Sequence, residues 1–154
     1  MHKVTQTILS EPDSPNRGNC FSAALASILD LRLDKVPYFA GMKEWYPPFC
    51  RFLRLHGHGF RGTYHFNEKA TPPRTWADMR SKYKGVGGFY LAGGASWNDF
   101  VKAGHCVVLN SDGVLEHDPH PSGRGLKTLE YVFMIQPIDS IERGEDWTED
   151  ELED

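Results

Sequence analysis

The stretch over residues 18–29 constrains the fold most, because it changes from turn-forming residues to an apolar helix at a cysteine. Two prolines and a glycine break regular structure before that cysteine, Cys20. After it, apolar residues recur at helical spacing, and these are Ala24, Leu25, Ile28 and Leu29. The pattern predicts a helix over about 20–30 with one buried face and with Asn19 as its N-cap.

The position of the thiol in this predicted helix has a chemical consequence. Cys20 falls in the first turn, where backbone N–H groups lack partners within the helix and the positive end of the helix dipole lies. Both effects favour the thiolate over the thiol, so they lower the pKa of a cysteine at this position and make it a better nucleophile. We therefore predict that Cys20 is a reactive thiol.

Length and composition indicate one globular domain. The chain has 154 residues, of which 40% are hydrophobic and 12% aromatic, so it can bury a core and is not a disordered chain. It contains no apolar run long enough to span a membrane, and its first residues lack the apolar core of a signal peptide. Three cysteines (Cys20, Cys50 and Cys106) match no disulfide framework. We expect a cytoplasmic monomer with reduced cysteines and no membrane contact.

The net charge of −4 is distributed unevenly. Eight acidic residues and one arginine lie within 142–154, whereas the rest of the chain carries 16 basic and 13 acidic side chains. We therefore expect one domain over residues 1–140 and an acidic, flexible tail over 141–154. The basic residues form no dense patch in the sequence, so nucleic acid is not an expected partner.

The order of predicted elements indicates an α+β fold. A second helix is expected over 44–56, with Pro47 and Pro48 near its start. Three β-prone runs follow, separated by Gly, Asp and Pro, at 88–92, 104–109 and 131–135. Asp112-Gly113 is a hairpin signal after the second run. Helices first and an antiparallel sheet after them form an α+β arrangement.

A thiol nucleophile needs a base, and the base needs a group that orients it. His105 is the best candidate base, because it begins the strongest strand pattern, where a side chain can project from the strand end. The hairpin at 112–113 returns the next strand antiparallel, so Asp118 is expected near His105. A carboxylate there would hold the imidazole in the correct tautomer. Gln6 is a candidate side-chain donor for an oxyanion hole beside the backbone N–H of Cys20.

Other residues are expected to contact the substrate, and further cysteines and histidines could serve as a second thiol or as metal ligands. We predict that Asn19, Gly94 and Trp97 contact the substrate, and that the glycines at 93 and 94 form turns. Strand alternation turns Cys106 away from His105, so Cys106 is expected to be structural. Histidines at 56 and 58, and at 117 and 120, are possible metal ligands, but neither pair has the spacing of a zinc motif. We expect no metal.

These residues, taken in chain order, resemble the papain-like cysteine peptidase superfamily. The closest likeness is to the small bacterial and phage branch related to the double-glycine leader peptidases. The blocks that carry the resemblance are Gln6, residues 18–24, 104–108, 112–113 and 117–121. The order Gln, Cys, His, Asp is the order of that superfamily, and the resemblance covers about residues 4–137. It implies a papain-like fold, with N-terminal helices packed on a C-terminal antiparallel β-sheet.

The resemblance also implies roles for four residues. Cys20 would be the nucleophile, His105 the base, Asp118 the orienting carboxylate and Gln6 the oxyanion donor. Gln6 lies further before the cysteine than is usual in the superfamily, so Asn16 and Asn19 are alternative donors.

The implied function is a thiol hydrolase that cleaves an amide or isopeptide bond in a protein or peptide through an acyl-enzyme, without a cofactor. Two alternatives stay open. The same acyl-enzyme could serve an acyl transferase. A papain-like domain without catalysis could instead act as a binding module, such as a phage or accessory protein that captures a host protein or peptide.

Overall fold

One antiparallel sheet forms the centre of the molecule. A computed structural model describes residues 1–9, 18–83, 88–97 and 104–138. Within these ranges it contains five strands: β1 (His58–His65), β2 (Tyr90–Ser96), β3 (His105–Leu109), β4 (Leu115–His117) and β5 (Leu126–Pro137). Their order across the sheet is β1-β5-β2-β3-β4, and all neighbouring strands are antiparallel.

Three α-helices accompany the sheet in the described ranges: α1 (Cys20–Leu29), α2 (Tyr46–Leu55) and α3 (Trp76–Lys82). Two short 3₁₀ turns, Leu33–Lys35 and Phe39–Gly41, lie between α1 and α2. α1 ends where Asp30 adopts a left-handed conformation with φ of 60°, and the backbone N–H of Asp30 donates to the carbonyls of Ala26 and Ser27. Mixed helices and an antiparallel sheet confirm the predicted α+β class.

The helices divide between the two faces of the sheet. Ala24 of α1 packs against Leu91, Cys106 and Val108, and α2 joins α1 in an adjoining aromatic cluster. The alternate residues of β3 point to the other face, where they pack with Met79 of α3. The N-terminal helices α1 and α2 therefore pack on one face, as expected, whereas α3 follows β1 in the chain and covers the opposite face.

The predicted strand over 88–92 is longer in the structure, because β2 continues through Gly93 and Gly94 to Ser96. We expected these glycines to form turns, and that prediction is wrong. A Cβ atom on Gly93 would lie 2.2 Å from the ring of Tyr131, and one on Gly94 would lie 1.9 Å from the carbonyl oxygen of Thr128. The glycines are therefore required by the close approach of β5 to β2 and not by a turn.

Residues 3–9 run in an extended conformation without forming a strand. The backbone N–H of Val4 donates to Oγ of Ser27 at 2.9 Å, which attaches this segment to α1. The backbone N–H of Gln6 donates to the carbonyl of Pro119 at 3.0 Å, which attaches it to the chain after β4. The amino-terminal segment thus joins the two parts of the fold that carry the candidate site.

Several sequence predictions lie outside the described residues. These include the acidic tail over 141–154 and the alternative oxyanion donor Asn16. Within the described ranges, no helix combines the length and the apolar character needed to cross a membrane.

Candidate active site

Cys20 is the first residue of α1, and no side-chain cap from Asn19 occupies the amino end of this helix. The first helical hydrogen bond runs from the N–H of Ala23 to the carbonyl of Asn19, at 3.0 Å. The N–H groups before Ala23 have no carbonyl partner within the helix. Asn19 makes no capping hydrogen bond to them with its side chain. The positive end of α1 is therefore available to a thiolate at Cys20 or to an oxyanion beside it.

Asn19 is the N-cap residue of α1, as predicted, but its side chain makes no capping hydrogen bond and bonds to the amino-terminal segment instead. Its Oδ1 accepts hydrogen bonds from the backbone N–H groups of Thr7 and Ile8, at 3.0 and 2.8 Å. Its Nδ2 donates to Oγ1 of Thr7 at 3.0 Å. Both polar atoms of the buried Asn19 side chain thus fasten the amino-terminal segment to the start of α1. A substrate contact by this side chain would have to compete with these bonds.

His105 and Asp118 are brought together by the hairpin between β3 and β4. The turn closes through the N–H of Gly113, which donates to the carbonyl of Asn110 at 3.0 Å. Nε2 of His105 lies 2.7 Å from Oδ1 of Asp118, and the Asp118 side chain is only 2% exposed. A buried carboxylate at this distance fixes the orientation of the imidazole ring.

Asp118 is itself held in place by backbone donors. The N–H of His120 donates to its Oδ1 at 2.9 Å, and the N–H of Gly125 donates to its Oδ2 at 2.8 Å. Burial raises the pKa of Asp118, but the hydrogen bonds from His105 and from these two N–H groups outweigh burial and lower it. Asp118 therefore stays ionised beside the imidazole.

Cys20 and His105 are neighbours in the site, and each shifts the pKa of the other through a hydrogen-bond interaction and through its charge. Because Asp118 engages Nε2, Nδ1 is the ring nitrogen left to meet Cys20. Burial lowers the pKa of His105, but the hydrogen bonds with Asp118 and Cys20 outweigh burial and raise it to about 9. At neutral pH the imidazole is therefore protonated and carries a proton that it can donate.

A second thiol, which the sequence analysis assigned to a structural role, lies against Cys20. Cys106 does occupy the face of β3 opposite to Val107, as alternation requires. α1 packs on that same face, so Cys106 and Cys20 meet in one packed cluster. His105 reaches Cys20 as well, because it is the first residue of β3. Cys106 was expected to be structural, and it is buried, but it also lies beside the candidate nucleophile.

Tyr131 extends this network on the far side of Cys106. The Tyr131 hydroxyl hydrogen-bonds to the Cys106 sulfur, and its ring lies over the bare backbone of Gly93. Burial is the main cause that raises the pKa of Tyr131, so the hydroxyl keeps its proton and can donate it. Only the adjacency of Cys106 to His105 could have indicated this network, and nothing in the sequence connects Tyr131 with it.

The electrostatics favour a thiolate on Cys20. The hydrogen bond from Cys106 is the largest influence that lowers the pKa of Cys20, burial opposes it, and the hydrogen bond and charge of His105 lower it further. Of the two touching thiols, Cys20 is the one that ionises, because it adjoins both the imidazolium and the open end of α1. Cys106 stays protonated, since its contact with the Cys20 thiolate and its burial raise its pKa.

The Gln6 side chain lies close to the start of α1, but its amide nitrogen already has a hydrogen-bond acceptor. Its Nε2 donates to the carbonyl of Ile8 at 2.9 Å, and the backbone N–H of Asn19 donates to that same carbonyl at 3.0 Å. The Gln6 amide therefore lies beside the residue that precedes Cys20. Its Oε1 is buried and accepts no hydrogen bond. One hydrogen on Nε2 remains for a second acceptor.

An apolar cavity of about 240 Å³ opens beside the two cysteines. Cys20 and Cys106 form part of its wall, and most of the rest is aromatic: Phe21, Phe39, Trp45, Tyr131 and Phe133. Such a wall suits an apolar group, with the reactive sulfur at one side. Among the described residues, neither Gly94 nor Trp97 lines this cavity.

Gly94 and Trp97, both predicted to contact substrate, have other surroundings in the structure. Gly94 pairs with His105 across the β2–β3 ladder, and the carbonyl of Thr128 leaves no room for a side chain there. Trp97 is 42% exposed, with the guanidinium of Arg124 5.4 Å from its ring centroid. Gly94 therefore allows β5 to approach β2 closely beside His105, and Trp97 lies on the surface.

The described residues contain no cluster of three or more histidine, cysteine and acidic side chains that could hold a metal ion. The histidine at 117, one of the possible metal ligands, instead makes a 2.6 Å hydrogen bond through its Nε2 to the carbonyl of Val4.

Alkylation should separate the three cysteines. At mildly acidic pH, iodoacetamide is expected to modify Cys20 before Cys50 and Cys106, because only Cys20 combines a lowered pKa with partial exposure. Peptide mapping after a short exposure measures the order, and Cys20→Ala should remove the fast reaction. Equal modification of all three residues would contradict an activated thiol.

The comparisons with known proteins add no relative: the chain matches no family model, no curated protein and no solved structure.

Proposed function

We propose that this protein is a papain-like thiol hydrolase that cleaves an amide or isopeptide bond through an acyl-enzyme on Cys20. The observation that carries the proposal is the chain of contacts from Cys20 to His105 and on to the buried carboxylate of Asp118. A nucleophile, a base and an orienting carboxylate in mutual contact are the parts that acyl transfer needs. The open amino end of α1 supplies backbone donors beside the nucleophile.

The reaction would proceed in two halves. The Cys20 thiolate attacks the carbonyl carbon, and the negative charge on the carbonyl oxygen is stabilised by N–H groups at the start of α1. Protonated His105 gives its proton to the departing amine, the C–N bond breaks, and a thioester on Cys20 remains. His105 then takes a proton from water, which attacks the thioester and releases the acid. Asp118 keeps the imidazole aligned in both halves.

The substrate would be a protein or peptide. The aromatic cavity beside Cys20 could receive an apolar side chain next to the scissile bond, and it favours such substrates over charged ones. If an amine replaced water in the second half, the same acyl-enzyme would make the protein an acyl transferase. The proposal includes a cytoplasmic, reducing setting, in which the Cys20 thiol stays available.

A covalent probe with a mass readout tests this function. We expect a peptidyl epoxide with an apolar residue to add once to the wild-type protein and to Cys50→Ala, and not to Cys20→Ala. Cys50 is the matched control, because it is a buried cysteine in the cluster around α2 and away from the site. Equal labelling of Cys20→Ala would overturn the proposal, and so would no labelling of the wild-type protein by a panel of such probes.

A further inference from the structure

Cys106 is a buried nucleophilic group that the proposed hydrolysis does not consume. It is 6% exposed and belongs to the same packed cluster as Cys20, and both cysteines contribute to the wall of one cavity. Each of the two thiols also shifts the pKa of the other. A thiol in contact with a thiolate is the arrangement from which an intramolecular disulfide forms.

Both cysteines are carried by rigid elements. Cys106 pairs with Gly93 in the β2–β3 ladder, and Cys20 begins a helix that packs directly on that part of the sheet. Their contact therefore belongs to the packed core and does not depend on a loop. The Tyr131 hydroxyl also lies near Cys106, because the Tyr131 ring lies over Gly93, the residue that pairs with Cys106.

From this arrangement we propose that Cys20 and Cys106 form a reversible disulfide when a hydroperoxide oxidises Cys20, with Cys106 as the resolving thiol. This modification is separate from the proposed hydrolysis, because it needs only the two sulfurs, His105 and the oxidant. The cavity beside Cys20 is large enough to admit a molecule of the size of hydrogen peroxide.

In the first step the Cys20 thiolate attacks one oxygen of the peroxide. A sulfur–oxygen bond forms, the O–O bond breaks, and the departing hydroxide takes a proton from His105 to become water. Sulfur is oxidised to a sulfenic acid, and the peroxide is reduced. The lowered pKa of Cys20 and its partial exposure make it the cysteine that reacts first.

In the second step Cys106 attacks the sulfenic sulfur of Cys20. The S–S bond forms, the S–O bond breaks, and the thiol proton of Cys106 leaves with the hydroxyl group as water. The net change is the loss of two hydrogens from the protein and the conversion of one hydrogen peroxide into two waters. Cys20 is thereby blocked but protected from irreversible oxidation, and a thiol reductant restores it.

Hydrogen peroxide with intact-mass analysis tests this proposal. Wild-type protein should lose two hydrogens, give a linked peptide pair that contains Cys20 and Cys106, and lose fast iodoacetamide labelling. Dithiothreitol should restore all three properties. Cys106→Ala should instead gain two oxygens at Cys20 and resist dithiothreitol, because no thiol intercepts the sulfenic acid.

Two further variants make the result decisive. Cys50→Ala should behave as wild type, because Cys50 lies in the other cluster. Cys106→Ser keeps a hydrogen-bonding hydroxyl but cannot form a disulfide, so it should over-oxidise like Cys106→Ala and serves if the alanine variant fails to fold. The proposal is overturned if wild type and Cys106→Ser gain oxygen at the same rate, if Cys50 forms the linkage, or if only intermolecular disulfides appear. Since the readout is mass, it does not depend on whether the protein hydrolyses amides.

Discussion

Replacing Cys20 with alanine is expected to reduce the hydrolysis of peptidyl coumarin amides by about 10⁴-fold or more, because Cys20 is the residue on which the acyl-enzyme would form. His105→Ala should cause a loss of similar size. The double variant should be hardly worse than either single variant, since the nucleophile and its base act as one unit. Initial rates on amides with an apolar residue before the scissile bond measure all three losses.

The control for this experiment is Cys50→Ala, which removes a buried thiol outside the site and should keep its turnover. Thermal melting of each variant shows whether a loss of rate reflects unfolding. Cys20 is only partly buried, so its alanine variant is expected to fold. Additive losses, in which the double variant falls by the product of the single effects, would contradict a shared step.

The same variants distinguish an enzyme from a binding module. A module that captures a host protein or peptide needs neither a thiolate nor an oriented imidazole, so Cys20→Ala would keep its biological activity. Trp97 is an exposed aromatic on the described surface, and such residues commonly anchor protein partners. If Trp97→Ala destroys the biological activity while Cys20→Ala retains it, the protein is a binder.

Local patterns in the sequence were sufficient to predict the elements that present the candidate site. The helix expected over 20–30 is α1, and it begins at the thiol because the apolar period starts there. The Asp112-Gly113 signal predicted the β3–β4 hairpin, and Gly113 adopts a positive φ of 77° there. Trp76 packs so closely on this turn that a Cβ on the glycine would lie 2.9 Å from its ring.

The surroundings of the thiol were not predictable, because they depend on which face of the sheet the helix covers. Alternation along β3 separates residues into two sets, but it does not say which set meets α1. The structure pairs α1 with the set that contains Cys106, so the cysteine expected to be only structural lies beside Cys20. The side chain of the N-cap residue Asn19 does not cap α1 for a similar reason, since its partners Thr7 and Ile8 lie 12 and 11 residues before it in the chain.

Glycines were the other source of error. In a single sequence, Gly93-Gly94 indicates a turn, because glycine most often supplies unusual backbone angles. Here both residues lie in β2, at a register shift in its pairing with β5, where the Tyr131 ring and the Thr128 carbonyl of β5 occupy the space a side chain would need. That requirement comes from a strand more than thirty residues away in the chain. The need for glycine at these positions is visible only once the pairing of β2 with β5 is known.

Hydrolysis should require a charged Cys20 thiolate and a charged His105 imidazolium. The rate should therefore fall at both low and high pH, which gives the pH profile an acid limb and an alkaline limb. As the pH falls through the lowered pKa of Cys20, the thiolate gains a proton and activity is lost. As the pH rises through about 9, the pKa of His105, the imidazolium loses the proton that the leaving amine requires. We therefore expect kcat/KM to be highest between these two values.

Asp118→Asn should move the alkaline limb to lower pH and reduce, but not abolish, turnover. The asparagine Oδ1 can still accept the 2.7 Å hydrogen bond from His105, so the ring keeps a partner. The negative charge is lost, however, and burial of His105 then lowers its pKa with less opposition. The amide group would also face the N–H of Gly125 with a donor in place of an acceptor, which loosens the loop.

The matched control is Asp112→Asn, which removes a carboxylate from an exposed position at the tip of the same hairpin. It should leave both limbs where they are in the wild-type protein. The measurement is kcat/KM across the pH range for the three proteins, with the rate of iodoacetamide labelling as a second report on the thiolate. If the alkaline limb of Asp118→Asn coincides with that of the wild type, Asp118 does not stabilise the imidazolium, and His105 must owe its raised pKa to Cys20 alone.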